Sequence, residues 1–203
     1  MKTIIAVTFI GILTYAFAEE ASTNPKCNYQ AMANFDLTRY LQIAPLYSTY
    51  VKDAKYFNFC RVYKSNTKSD DTINTNIWGY YENSEKNYYY EIVCSTKEES
   101  FKTGQYWTEC NVVKDTYSTG IRKTYQVYMS VIDTDYQNYA ILYNCISNVT
   151  HITDNIEVLQ KDPGTADNLV KAALEKKQMK LEEFFLRNFT TVCQNGNEEK
   201  KET

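Results

Sequence analysis

The feature that most restricts this chain is a period of two. Between residues 46 and 160, short segments rich in tyrosine and β-branched residues alternate with polar punctuation. Successive side chains of a strand point to opposite faces, so such segments suit strands with one apolar face. Eight strands are predicted, at residues 46–51, 58–65, 72–81, 88–95, 104–113, 123–133, 139–147 and 156–160. Lys52-Asp53, Lys68-Ser69-Asp70-Asp71, Glu82-Asn83-Ser84-Glu85, Lys97-Glu98-Glu99-Ser100 and Asp115-Thr116 separate them. Tyrosine supplies much of the β-propensity, with 19 residues against six glycines and three prolines. In the sixth strand Tyr125, Val127, Met129 and Val131 share a face suited to a core. Thr124, Gln126, Tyr128 and Ser130 take the face suited to water or a lumen. Short turns between consecutive strands imply an up-and-down antiparallel sheet, and eight strands can close on themselves and leave no exposed edge.

After Pro163-Gly164-Thr165 the period changes. Residues 167–177 place Leu169, Val170, Ala173 and Leu174 on one stripe, with an acid first and lysines last, as an amphipathic C-terminal α-helix requires. A second, shorter helix is predicted at 181–186. The fold class expected is all-β: an eight-stranded antiparallel barrel with a C-terminal α-helix.

The ends of the chain set its compartment. Lys2, the apolar run from Ile4 to Phe17 and the small-x-small Ala16-Phe17-Ala18 read as an export signal at 1–18. Residues 19–195 form one domain, and the Glu/Lys-rich 196–203 form a disordered tail. No segment approaches the ~20 apolar residues needed to cross a membrane as a helix. Removing the signal takes the formal charge from −3 to −4. That balance argues against nucleic acid, which wants a clustered basic face. All six cysteines follow the signal, so three disulfides are expected, with fifteen connectivities open. Asn148-Val149-Thr150 and Asn188-Phe189-Thr190 are sequons, making Asn148 and Asn188 candidate glycosylation sites.

Catalysis finds little support. The one histidine, His151, lies in a loop, the cysteines are committed to bridges, and Glu98-Glu99 and Glu182-Glu183 read as solvated surface. No metal spacing, phosphate loop or cofactor motif occurs, and His151 is misplaced for a haem ligand. The barrel interior offers room for one small ligand. Among four arginines, Arg61 is the best lumen candidate for an anion, with Tyr63, Tyr125 and Tyr143 as hydroxyl partners, although a surface salt bridge is its commoner role. No acid stands out as a lumen partner for a cationic amine. Tyr80-Tyr81 and Tyr88-Tyr89-Tyr90 put rings on both faces of one hairpin, and outward rings suit protein binding.

The order of elements, with Asn34-Phe35-Asp36 before the barrel, Thr134-Asp135-Tyr136 between strands six and seven, and Leu159-Gln160-Lys161 before the helix, resembles the lipocalins. The missing Gly-x-Trp and Lys161 in place of arginine resemble the triabin and pallidipin group of triatomine salivary lipocalins. The run Ser130-Val131-Ile132-Asp133-Thr134-Asp135-Tyr136-Gln137-Asn138-Tyr139-Ala140 carries that likeness most specifically. The resemblance implies bridges Cys27–Cys145, Cys60–Cys193 and Cys94–Cys110. It also implies a secreted, monomeric antihaemostatic binding protein of saliva without a cofactor. The target expected first is the contact system, factor XII and kininogen, blocked sterically. Scavenging of thromboxane A2 or another eicosanoid, and binding to a thrombin exosite, are the alternatives.

Overall fold

The computed structural model describes residues 27–53, 59–117, 123–147 and 152–187. Eight strands form the barrel wall: β1 (Leu46–Val51), β2 (Phe59–Thr67), β3 (Thr72–Asn83), β4 (Lys86–Lys97), β5 (Gln105–Asp115), β6 (Thr124–Thr134), β7 (Tyr139–Ser147) and β8 (Ile152–Gln160). Each pairs antiparallel with the next. The ring closes because β1 pairs with β8 on one edge and, through Leu46↔Tyr63 and Tyr47↔Val62, with β2 on the other. All eight predicted strands are present. β8 begins four residues earlier than expected, since the polar stretch Thr153-Asp154-Asn155 pairs with Ile146, Cys145 and Asn144 of β7 instead of forming a loop.

Two short helices lie outside the strand pattern. α1 (Leu37–Gln42) starts where the Asp36 carboxylate accepts the Arg39 N–H at 3.0 Å, an N-cap that satisfies one orphan donor. α2 (Glu98–Phe101) follows β4. Together they stopper one end of the barrel: Phe101 stacks with Phe35 and packs tilted against Tyr106, and Tyr40 lies against Phe35 and Phe101. Asp135 orders the β6–β7 turn, accepting the N–H groups of Gln137, Asn138 and Tyr139. Those bonds hold its carboxyl below the ordinary range despite the opposing effect of burial.

The outer face of β6, β7 and β8 is not wet. α3 (Asp167–Lys176) lays Val170, Ala173 and Leu174 in one cluster with Ile132, Ile141 and Val158. The segment from Cys27 to Tyr29 joins this cluster, with the Tyr29 ring tilted against Tyr143 at 5.3 Å between centroids. Tyr128 and Ser130, expected to face water or a lumen, are therefore buried on the outside of the barrel. Leu169 is 50% exposed, because 100° per residue turns it off the stripe that Val170 and Leu174 occupy. The predicted second helix is only a 3₁₀ turn, Leu181–Glu183, followed by a two-residue strand β9 (Phe185–Leu186) that pairs with β1.

Cys27 bonds Cys145, and Cys94 bonds Cys110, directly opposite in the β4–β5 register. Cys60 is also disulfide-bonded. Its expected partner Cys193, the signal at 1–18, His151, Arg122, Asn148, Asn188 and the tail at 196–203 lie outside the described residues.

The contrast within α3 is measurable. Leu174→Ala should lower unfolding free energy by about 2–5 kcal/mol in urea titrations, while Leu169→Ala should stay within about 0.5 kcal/mol. Equal effects would contradict the packing of this helix.

Candidate functional site: a polar wall inside the barrel

At the end opposite α1 and α2 the lumen opens into a cavity of about 720 Å³. Its two sides differ. β3 to β6 contribute an apolar wall that includes Ile77, Ile92, Val127 and Met129. β2, β7 and β8 contribute Arg61, Tyr63, Asn144 and Glu157, joined by Arg187 from beyond β9.

The polar wall is one connected network. Arg61 reaches Glu157 with its Nη1 2.7 Å from Oε1, and Glu157 is almost completely buried. The same guanidinium donates from Nη1 to the Tyr63 hydroxyl at 3.2 Å and from Nε to the Tyr90 hydroxyl at 3.0 Å. Ser48 donates to the second Glu157 oxygen at 2.8 Å, and Asn144 donates from Nδ2 to the first at 3.3 Å. With its amide nitrogen held by Glu157, Asn144 turns its carbonyl oxygen away, and among the described residues this buried acceptor meets no hydrogen-bond donor. Opposite Arg61 in the β2–β3 register, and opposite Tyr90 in the β3–β4 register, stands Gly79. A Cβ there would come within 1.8 Å of the Cys60 carbonyl oxygen. Glycine therefore lets the β2 backbone approach β3 closely beside the Arg61–Tyr90 contact.

Burial by itself would raise the Glu157 carboxyl. The charges of Arg61 and Arg187 and the hydrogen bonds from Ser48 and Tyr63 outweigh that effect and hold it below its ordinary value. Arg61 resists deprotonation more than an ordinary arginine: burial opposes its charge, and Glu157 more than compensates. Arg187 shows the opposite balance. Burial, with the like charge of Arg61, disfavours its cation more than Glu157 supports it. Burial raises Tyr63, Tyr90 and Tyr125, so these hydroxyls stay protonated.

Three of the four pocket candidates meet here: Arg61, Tyr63 and Tyr125 line the cavity. The Arg61–Glu157 ion pair lies inside the barrel. Tyr143 does not join them. It points outward from β7, donates to Asp154 at 2.9 Å and packs beneath the N-terminal segment, because its neighbours Asn144 and Leu142 take the inward positions. The lumen does hold an acid, Glu157, which the sequence reading passed over. Its one signal is a place on the same strand face as Leu159. Arg187 had none, since it follows the barrel strands and reaches the lumen only through β9.

Comparison with known proteins places this geometry. The sequence profile of the Triabin family matches residues 19–175. The chain is similar to pallidipin of Meccus pallidipennis, 35% identical over 188 residues, which span 93% of this chain and 96% of that protein. It is similar to platelet inhibitor triplatin-2 of Triatoma infestans, 32% identical, over 87% of this chain and 92% of that protein. Among solved structures, the tryptamine complex of the amine binding protein of Rhodnius prolixus superposes with a TM-score of 0.64 at 20% identity, over 78% of this chain and 84% of that one. At that identity the likeness speaks for the fold alone.

The folded carboxyl of Glu157 lies below its ordinary value of 4.5. The stability it contributes is therefore complete above pH ~4.5 and is lost as pH falls through the lower folded value. Urea titrations from pH 7 to pH 2.5 should show this loss in the wild type and a flatter profile in Glu157→Gln. Glu157→Leu, which strands two guanidinium groups, should cost about 3–5 kcal/mol at pH 7. Gly79→Ala should be strongly destabilising and, if folded, should report a changed tyrosine near-UV signal as Arg61 and Tyr90 part.

Proposed function

The chain belongs to the Triabin family, lipocalin-type binding proteins and not enzymes, and from that premise we propose that it is a secreted salivary antihaemostatic protein that sequesters a small anionic amphiphile of the eicosanoid class in its barrel. The observation that carries this reading is the charge of the polar wall. Two guanidinium groups, Arg61 and Arg187, share the buried wall with one carboxylate, Glu157, across from an apolar side, while the other lining acids, Asp53 and Asp154, are exposed to solvent. A carboxylate entering there meets positive charge in a medium poorer than water, where its attraction is strong. Its hydrocarbon would lie on Ile77, Ile92, Val127 and Met129. The carbonyl oxygen of Asn144 would accept from a ligand hydroxyl, so an acid that also carries a hydroxyl suits the site better than a plain fatty acid. A cavity of about 720 Å³ falls within the range of drug-sized ligand sites. The relative named a platelet inhibitor supports the antihaemostatic setting.

A second reading keeps the barrel's outside in view. Trp107 is 48% exposed and Tyr117 57% exposed, with Tyr117 edge-on to Tyr88 and Tyr80 edge-on to Tyr89. Half-exposed rings with polar tips suit a protein partner, and steric inhibition of contact activation through factor XII or kininogen would use such a surface.

Calorimetric titration of the mature protein with a stable thromboxane analogue should give one site per chain, and Arg61→Gln should weaken it at least about tenfold, the worth of a charge-assisted hydrogen bond. Absence of binding by the wild type rules the scavenger reading out. A prolonged activated partial thromboplastin time, abolished by changing Trp107 and Tyr117 to serine, would establish the second reading in its place.

A further inference from the structure

The cavity has a direction. β3 runs from the plugged end, where the Asp71 carbonyl accepts the Glu98 N–H at 2.8 Å, towards the mouth. Ile77 precedes Gly79 on it, and the register sets Ile77 opposite Tyr63 and Ile92, and Gly79 opposite Arg61. Arg61 therefore stands two residues nearer the mouth than Ile77 and Ile92, about 6.7 Å along the strands. β8 runs the other way, so Thr153, Asp154 and Asn155 lie on the mouth side of Glu157. Two acids stand at this rim. Asp53 and Asp154 line the cavity where it meets solvent. Asp53 is clasped to the start of β8: its N–H donates to the Asn155 side-chain oxygen at 3.0 Å, and Asn155 donates back to the Asp53 carbonyl at 2.6 Å. The Asp154 carboxylate accepts the Tyr143 hydroxyl at 2.9 Å. Among the described residues no lysine lines the cavity. From floor to mouth the lining thus changes from apolar, through the buried Arg61–Glu157 pair, to acidic.

We infer that the cavity takes its ligand tail first, and that Asp53 and Asp154 select a headgroup with a cation outside its anion, as in a monoacyl glycerolipid that carries phosphate and then a quaternary ammonium. The inference rests on the reading of the Arg61 wall as an anion site and goes beyond it in ligand class and orientation. A hydrocarbon chain gains by leaving water where the wall is apolar, and Ile77 and Ile92 lie deeper than Arg61. With the tail there and the anion at Arg61, whatever the headgroup carries next points to the mouth. Asn155 sits two residues above Glu157, so the rim begins about 6.7 Å beyond the ion pair. A phosphate and an ammonium joined by two methylenes can bridge such a step. Like charges beside a cleft with apolar walls focus a negative potential in its mouth, which draws a cation in and repels a second anion. The free glycerol hydroxyl of a monoacyl lipid also matches Asn144, whose buried carbonyl oxygen meets no donor among the described residues. A plain fatty acid fills the first two levels of the cavity and leaves the rim unused; the zwitterion uses all three.

Calorimetric titration of the full mature chain compares lysophosphatidylcholine, lysophosphatidic acid of the same acyl chain, both below their micelle concentrations, and free phosphocholine. The choline lipid should bind about fivefold more tightly than the phosphatidic mate, the upper span of an exposed charge pair, and free phosphocholine should give no measurable heat. Asp53→Asn combined with Asp154→Asn should bring the two lipids to within about twofold of each other. Salt of about 1 M, which screens exposed charges within about 3 Å, should do the same to the wild type. If the wild type binds neither lipid nor the thromboxane analogue, the anion-site reading falls and this inference with it. If it binds the analogue but neither lipid, or both lipids equally, or if the preference survives in the double variant, this inference alone is overturned. Free phosphocholine binding as tightly as the lipid would overturn tail-first entry. Should the double variant fail to fold, the salt titration of the wild type decides.

Discussion

Closure of the sheet through β1 is the constraint on which the other features rest. A six-residue strand must satisfy two edges at once. It does so with β8 along its length and with β2 and β9 in succession on the far side. Once the ring is shut, every strand has an inside and an outside, and closure removes most of the backbone edge that an open sheet would expose. The interior divides by the ends of the strands. Aromatic residues on α1, α2 and β5 fill one end, and the other stays open as a cavity.

Charge in that cavity has a physical cost that stability alone does not explain. Taking Arg61 and Glu157 out of water costs several kcal/mol per ion, and the pair repays it only with good geometry and satisfied lone pairs. Here Ser48, Tyr63, Tyr90 and Asn144 supply the satisfaction. An apolar set of similar volume would serve the fold as well. The placement of this network on β2, β7 and β8 leaves the facing wall apolar.

The outer layer does separate work. α3 and the N-terminal segment cover β6 to β8, and the Cys27–Cys145 bond ties that segment to β7. β3 to β5 lack such a cover from α3, which is where partly exposed rings such as Tyr80, Tyr89 and Trp107 collect. Tyrosine thus plays two roles in one chain. Inside, Tyr63 and Tyr90 are hydroxyl partners of a buried ion pair; outside, the rings give contact area.

The period-two pattern made the eight strands, their order and the α3 stripe legible, because alternation and turn chemistry are local properties of the chain. The same pattern left open which alternate set faces inward. Arg61, Tyr63 and Tyr125 fell on the inner set and Tyr143 on the outer, and no feature near Tyr143 marks the difference: both of its faces are flanked by apolar neighbours, since both faces of β7 are covered. Glu157 went unseen as a lumen acid because an acid between Ile156 and Val158 looks like a solvated position until β1 and β2 close over it. Arg187 was illegible altogether. From sequence, then, come the strand count, the antiparallel order and the cystine-rich character of the chain. Only the tertiary structure could decide the inward set, the ion pair and the pairing of β9 that brings Arg187 to the lumen, because each depends on which distant strands become neighbours, and that is a property of closure and not of any local segment.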